Sequence, residues 1–73
     1  MTDEQYLKKL GQRIVDIRNT QGLMQIELAT KLGISVSYMR RLEKGGVNPT
    51  VKTLRKLSKK LGVSVSELVD VEK

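Results

Sequence analysis

No cysteine, histidine, tryptophan or phenylalanine occurs in these 73 residues, and there is a single proline. Each absence removes something. Without cysteine the chain has no disulfides, no thiolate ligands for zinc and no thiol redox sensor. Without histidine it has no imidazole to act as base, metal ligand or switch near neutral pH. The eight carboxylates are scattered among basic residues, and neither a Gly-rich phosphate loop nor an H-E-x-x-H pattern occurs. An enzyme is therefore not expected, nor a metal or a cofactor. Two tyrosines are the only aromatics. The core must be aliphatic, which suits packed helices better than a small sheet. The exposed aromatic platform that single-stranded RNA recognition needs is missing as well. No apolar run approaches the ~20 residues of a membrane span, and "MTDEQYLKK" is too polar and acidic for a signal peptide. No membrane partner and a cytoplasmic location are the expectations.

What is there, first of all, is positive charge. Fourteen Lys and Arg against eight Asp and Glu leave a net charge of +6. Such an excess favours a polyanionic partner, and where the cations sit decides which.

The glycines punctuate a helical pattern. Leu7, Leu10, Ile14 and Ile17 follow the three-and-four spacing of an amphipathic helix, with Thr2 and Gln5 as a capping box and Gly22 as the stop. "QIELATKL" repeats the spacing with Leu28 and Leu32, then meets Gly33. Ser35 is a good N-cap for "VSYMRRLEK", which Gly45 ends. Thr50 caps a fourth segment carrying Leu54, Leu57 and Leu61, and Ser64 with Glu67 opens a short fifth that runs to about Val69. The expectation is one all-α domain, a compact five-helix bundle with its core between about residues 7 and 69.

Between Gln25 and Lys44 the signal is densest. Two short helices meet at Gly33, where the turn calls for positive φ. Ala29 stands where a larger side chain would push them apart. Leu28, Leu32, Ile34, Met39 and Leu42 supply the apolar contacts, and together these residues describe a helix-turn-helix. At about 100° per residue, Tyr38, Met39 and Leu42 share one face of the second helix. Val36, Ser37, Arg40, Arg41 and Lys44 share the other, small at its start and basic further along.

The order "LGQRI", "G-L-x-Q-x-E-L-A", "L-G-I-S-x-S-Y", "R-L-E-K-G" and "N-P-T" resembles the lambda-repressor and Cro type of helix-turn-helix domain, the Xre-like family of bacterial and phage regulators, over about residues 7 to 69. That resemblance implies a DNA-binding domain whose third helix, 36–44, enters the major groove, commonly as a dimer on an inverted repeat. By position, Val36, Ser37 and Arg41 match the family's base-facing residues, with Arg40 close by. Arg41 would bond guanine O6 and N7, and Val36 would pack on a thymine methyl. Gln25, Ser35, Tyr38, Lys44, Asn48 and Thr53 are the phosphate candidates, Gln25 at the positive end of the second helix. Glu43 is a poor DNA ligand, and pairing with Arg13 or Arg18 is expected instead.

Met24 stands where relatives usually carry a capping Ser or Thr, a loss of roughly 1 kcal/mol. Ile26 and Val36 replace residues that are commonly polar, and "GGV" replaces a loop that is often basic. Met24, Ile26, Val36 and Val47 thus keep a second reading open, the same fold binding a protein as a coactivator or antirepressor partner does. Within DNA binding, a small phage-type repressor, a restriction-modification controller and an antitoxin all fit. Val63, Val65, Leu68, Val69 and Val71 suggest a homodimer through the C-terminal helix, or else the closure of the monomer's own core.

Overall fold

The computed structural model describes residues 1–72. Five helices follow one another: α1 Asp3–Thr20, α2 Gln25–Leu32, α3 Val36–Glu43, α4 Val51–Leu61 and α5 Val65–Val69. Among the described residues there is no strand.

Each helix begins where its first turn can be satisfied locally. Thr2 and Gln5 form a reciprocal capping box on α1, at 3.1 and 2.8 Å. The Ser35 hydroxyl accepts from the Tyr38 N–H at 3.0 Å, and Thr50 accepts from Thr53 N–H at 3.1 Å. Ser64 and Glu67 form a second box on α5. Only α2 starts without an oxygen at its N-cap. Met24 makes no side-chain cap there, and the Glu27 carboxylate alone helps by accepting from the Met24 N–H at 2.9 Å. Helices α2 and α4 end on glycines in the left-handed region, Gly33 (φ 69°) and Gly62 (φ 69°).

The core is aliphatic. Leu10, Ile14, Leu28, Ala29, Leu32, Met39, Leu42, Leu57, Leu61 and Leu68 are buried, and among the described residues no polar side chain is buried with them. At roughly 1.5–3 kcal/mol for each large side chain removed from water, this cluster is the main source of stability. Helix α1 packs on α3 and α5, α2 on α3 and α4, and α4 on α5.

Two glycines fix how α3 sits. Gly11, in the middle of α1, is buried, and a Cβ there would lie 2.3 Å from the Glu43 carbonyl oxygen and 2.7 Å from that of Leu42. Gly45 (φ +79°) lays the chain leaving α3 on α1, where a Cβ would stand 2.7 Å from the Lys8 nitrogen. The backbone of α1 therefore touches the C-terminal end of α3 directly.

At the other end the C-terminal segment is tied back to α1. The Tyr6 hydroxyl donates to the Val69 carbonyl, and Arg13 Nε donates to the Glu67 carbonyl at 3.0 Å. Leu68, expected at a dimer surface, is fully buried in the monomer core. It therefore offers no side chain to a partner. Val63 and Val69 are half-buried against the same core, so they too serve the monomer.

A candidate nucleic-acid interface on α3

Helices α2 and α3 pack against each other across the Gly33–Ser35 turn, in the helix-turn-helix arrangement that the sequence suggests. Met39 and Leu42 point into the core at 0% and 1% exposure. Ser37, Arg40, Arg41 and Lys44 are exposed. Lys44 is the C-cap of α3 rather than a residue within it.

The one acidic residue of α3 is turned away from that basic face. Glu43 Oε2 accepts from Arg18 Nε at 2.8 Å, while Oε1 accepts from Arg18 Nη2 at 3.1 Å and from Gln25 Nε2 at 2.7 Å. Arg18 also donates to the Leu23 carbonyl at 3.0 Å, so its guanidinium ties α1, the α1–α2 loop and α3 together. With the Glu43 charge matched inside the fold, the exposed cations of α3 keep their full field towards solvent. Arg18–Glu43 is the only ion pair among the described residues, so Arg40, Arg41 and Lys44 hold none.

Two of the expected site residues do something else as well. The Gln25 amide is spoken for on its Nε2 side by a carboxylate that can only accept. This leaves its second N–H and the α2 backbone for any phosphate, so the side chain is first a link between α2 and α3. Val36 is half-buried and packs against the core cluster instead of standing free. A long or branched side chain in a first helical turn leans back towards the N-terminus, and there it finds the core.

Ser35 spends its oxygen on the cap and keeps its hydroxyl hydrogen free to donate. Tyr38 is half-buried, and the Arg41 guanidinium lies over its ring, 5.9 Å from the centroid. Asn48 is exposed in the α3–α4 loop, before buried Pro49. Thr53 lies in the first turn of α4, its hydroxyl 3.1 Å from that of Thr50.

A helix-turn-helix family model matches residues 14–68, most of the chain. The chain belongs to the helix-turn-helix family. Its fold is the lambda-repressor-like one, as the sequence motifs imply. An uncharacterised HTH-type transcriptional regulator of Sinorhizobium fredii is 44% identical over 62 residues, covering 85% of this chain and 80% of that protein. The immunity repressor protein of Bacillus phage phi105 is 40% identical over 63 residues, 86% of this chain but 44% of the repressor's length. Among solved structures, the restriction-modification controller protein C.AhdI from Aeromonas hydrophila superposes with a TM-score of 0.81 at 35% identity, covering 85% of this chain and 94% of that one. The SinR/SinI protein complex gives 0.80 at 40% identity, over 84% of this chain and 60% of the matched one. By name these relatives are a transcriptional regulator, an immunity repressor and a restriction-modification controller, and none is named as an enzyme. Among the described residues no helix is long and apolar enough to cross a membrane, and no cluster of acidic side chains could hold a metal ion.

The sequence reading passed over one further feature, the row of cations on α4: Lys52, Arg55, Lys56, Lys59 and Lys60, with no acidic residue in the helix. Its sequence signal is an 11-residue segment with five cations and no anion.

Proposed function

We propose that the protein is a sequence-specific regulator of transcription, acting in the cytoplasm as a repressor that lays α3 in the major groove of duplex DNA. The observation that carries this reading is the α3 face itself. Ser37, Arg40, Arg41 and Lys44 are exposed and free of ion pairs, while the helix's one carboxylate is matched inward by Arg18 and Gln25. Arg41 reads a guanine edge through two bonds, Ser37 and Arg40 adjoin it, and Val36 presents what remains of its surface to a thymine methyl. Lys44, Ser35, Tyr38, Asn48, Thr53 and the start of α2 at Gln25 take phosphates and set the register. Repression follows from occlusion of the site, in keeping with the phage immunity repressor among the relatives. A two-fold dimer would place two α3 helices about 34 Å apart, on successive turns of the groove of an inverted repeat.

A second reading is favoured by one observation. Met24 and Ile26 are 65% and 58% exposed at the start of α2. They present apolar surface beside the helix-turn-helix, as a module that binds a protein partner would, and the SinR structure is of a complex with another protein.

Selection from random duplex DNA at near-physiological salt, with Arg41→Ala as the control, separates the two. The expected result is an enriched inverted repeat that the control loses. No enrichment would refute sequence-specific binding and favour a protein partner seated on Met24 and Ile26.

A further inference from the structure

We infer that the outward face of α4 is a second, sequence-independent binding surface for a DNA phosphate backbone, separate from the segment that α3 reads. The inference relies on the proposed function only in naming DNA as the polyphosphate.

The helix is strongly divided. At about 100° per residue, Arg55, Lys59, Lys52 and Lys56 fall within one broad arc, and Leu54, Leu57 and Leu61 fall opposite. The leucines face the core, Leu57 and Leu61 buried and Leu54 half-buried. The cations are all exposed, as is Lys60 at the edge of the row. Val51, Lys52, Arg55, Lys56 and Lys59 together line a shallow groove along the helix.

None of these five cations has a carboxylate partner, for the one ion pair among the described residues is Arg18–Glu43. Five like charges on three turns of helix repel one another, and nothing in α4 offsets them. A solvated surface helix usually mixes its signs, and this one does not.

The chemistry of the face selects the occupant. From Lys52 to Lys60 the rise is about 12 Å, long enough to follow several phosphates of one strand. Lysine heads are point charges that neutralise phosphate without reading bases, and the groove has no carboxylate or aromatic group to specify one. A protein partner would need an apolar or aromatic anchor, and the face offers only Val51, 70% exposed. An anionic membrane would need an apolar face beside the charges, and the apolar face of α4 is turned into the core. Thr53, at the edge of this face, belongs with the operator contacts proposed above.

The test uses a 30-base-pair duplex of random sequence, with affinity measured by fluorescence anisotropy from 50 to 200 mM salt. Four full-length proteins are compared: the unmodified chain, K52Q/R55Q/K56Q/K59Q, the charge-preserving K52R/K56R/K59R, and R40Q/R41Q/K44Q. The glutamine variant of α4 is expected to lose tenfold or more in affinity at the low-salt end. Its salt slope should be shallower by about 0.9 for each phosphate no longer neutralised. The arginine variant should bind as the unmodified chain does. The α3 variant should lose any selected sequence and some random-duplex affinity with it, while the part of that affinity that depends on α4 is retained. Equal binding and slope for the glutamine variant and the unmodified chain would overturn the inference. So would complete loss in the α3 variant, which would leave one surface for all DNA. Tighter binding to phosphatidylserine vesicles than to the duplex, lost in the α4 variant, would overturn it in favour of a membrane surface. Failure of sequence selection with retained α4-dependent duplex binding would sink the operator reading and leave this one standing. Thermal unfolding of each variant checks that the fold is unchanged.

Discussion

Arg18 and Glu43 grip each other at two points, Nε to Oε2 at 2.8 Å and Nη2 to Oε1 at 3.1 Å, with side chains only 12% and 6% exposed. The pair joins α1 to the end of α3 and recruits Gln25 from α2 at 2.7 Å. Removing one partner leaves the other charge with little water to replace it. Glu43→Ala is expected to lose about 3 kcal/mol of stability in urea unfolding, whereas Arg18→Met with Glu43→Met should lose clearly less than the two single changes combined. Strict additivity would show that the pair contributes nothing beyond its separate residues.

Gly11 and Gly33 should answer to alanine for different reasons. In an ordinary helix interior Gly→Ala stabilises by about 1 kcal/mol. At Gly11 the added carbon would sit 2.3 Å from the Glu43 carbonyl oxygen, and neither backbone can yield without parting α1 from α3. Gly11→Ala is expected to destabilise by about 2 kcal/mol, with loss of DNA binding because α3 is displaced. At Gly33 the space is open and the strain is confined to its φ of 69°. Gly33→Ala should lose roughly 1 kcal/mol and keep the helices in place. Denaturation midpoints for the two variants check the order. A stabilised Gly11→Ala would contradict the contact.

What could be read from the sequence follows from how far each signal reaches. The caps at Thr2, Ser35, Thr50 and Ser64 and the stops at Gly33 and Gly62 are set by residues within four positions of one another, and all are found. Charge alone narrows the partner of Glu43 to Arg13 or Arg18, and geometry chooses Arg18. The bond from Tyr6 to Val69 spans 63 residues, and no local pattern announces it. Helix α5 has five residues, too few for periodicity to say which face is buried, so Leu68 passed for surface when it is core. Gly11 looked like one more glycine because its reason lies on another helix.

Tyr6 supplies a pH dependence. Burial of its hydroxyl, then the nearby carboxylates of Glu72 and Asp70, raise its pKa above the ordinary 10.0. A pKa raised on folding means that the native state holds the proton more tightly. The associated stability is then complete below the unfolded value and is lost as pH rises through the folded one. The bond to the Val69 carbonyl needs that proton. Tyr6→Phe is expected to lose about 1 kcal/mol at neutral pH. The gap between the two proteins should close as pH climbs past about 10, the unmodified chain losing stability faster. Parallel stability curves across that range would exclude this role.

Met24 leaves the start of α2 under-capped. Its side chain is 65% exposed and makes no cap, so a hydroxyl placed there meets no obstacle. Met24→Ser should gain about 1 kcal/mol in urea unfolding. The same variant distinguishes the two functional readings. Operator affinity should hold or rise, while a protein partner seated on Met24 and Ile26 would bind more weakly.

Arg41 and Tyr38 yield the sharpest test of how α3 reads DNA. The guanidinium rests over the ring at 5.9 Å, one helical turn on, which limits the directions that a long, flexible side chain can take. If the ring aims Arg41, Tyr38→Phe keeps base discrimination and Tyr38→Leu weakens it at the one base pair that Arg41 reads. If the hydroxyl instead holds a phosphate, Tyr38→Phe weakens binding on every sequence alike. Arg41→Ala should remove about 1–3 kcal/mol of discrimination at that base pair, and Tyr38→Leu a fraction of it, roughly 0.5–1 kcal/mol. Binding to a set of operators substituted singly at each position resolves the pattern. Identical profiles for Tyr38→Leu and the unmodified chain would mean that the contact between ring and guanidinium has no part in recognition, and that Arg41 finds its base unaided.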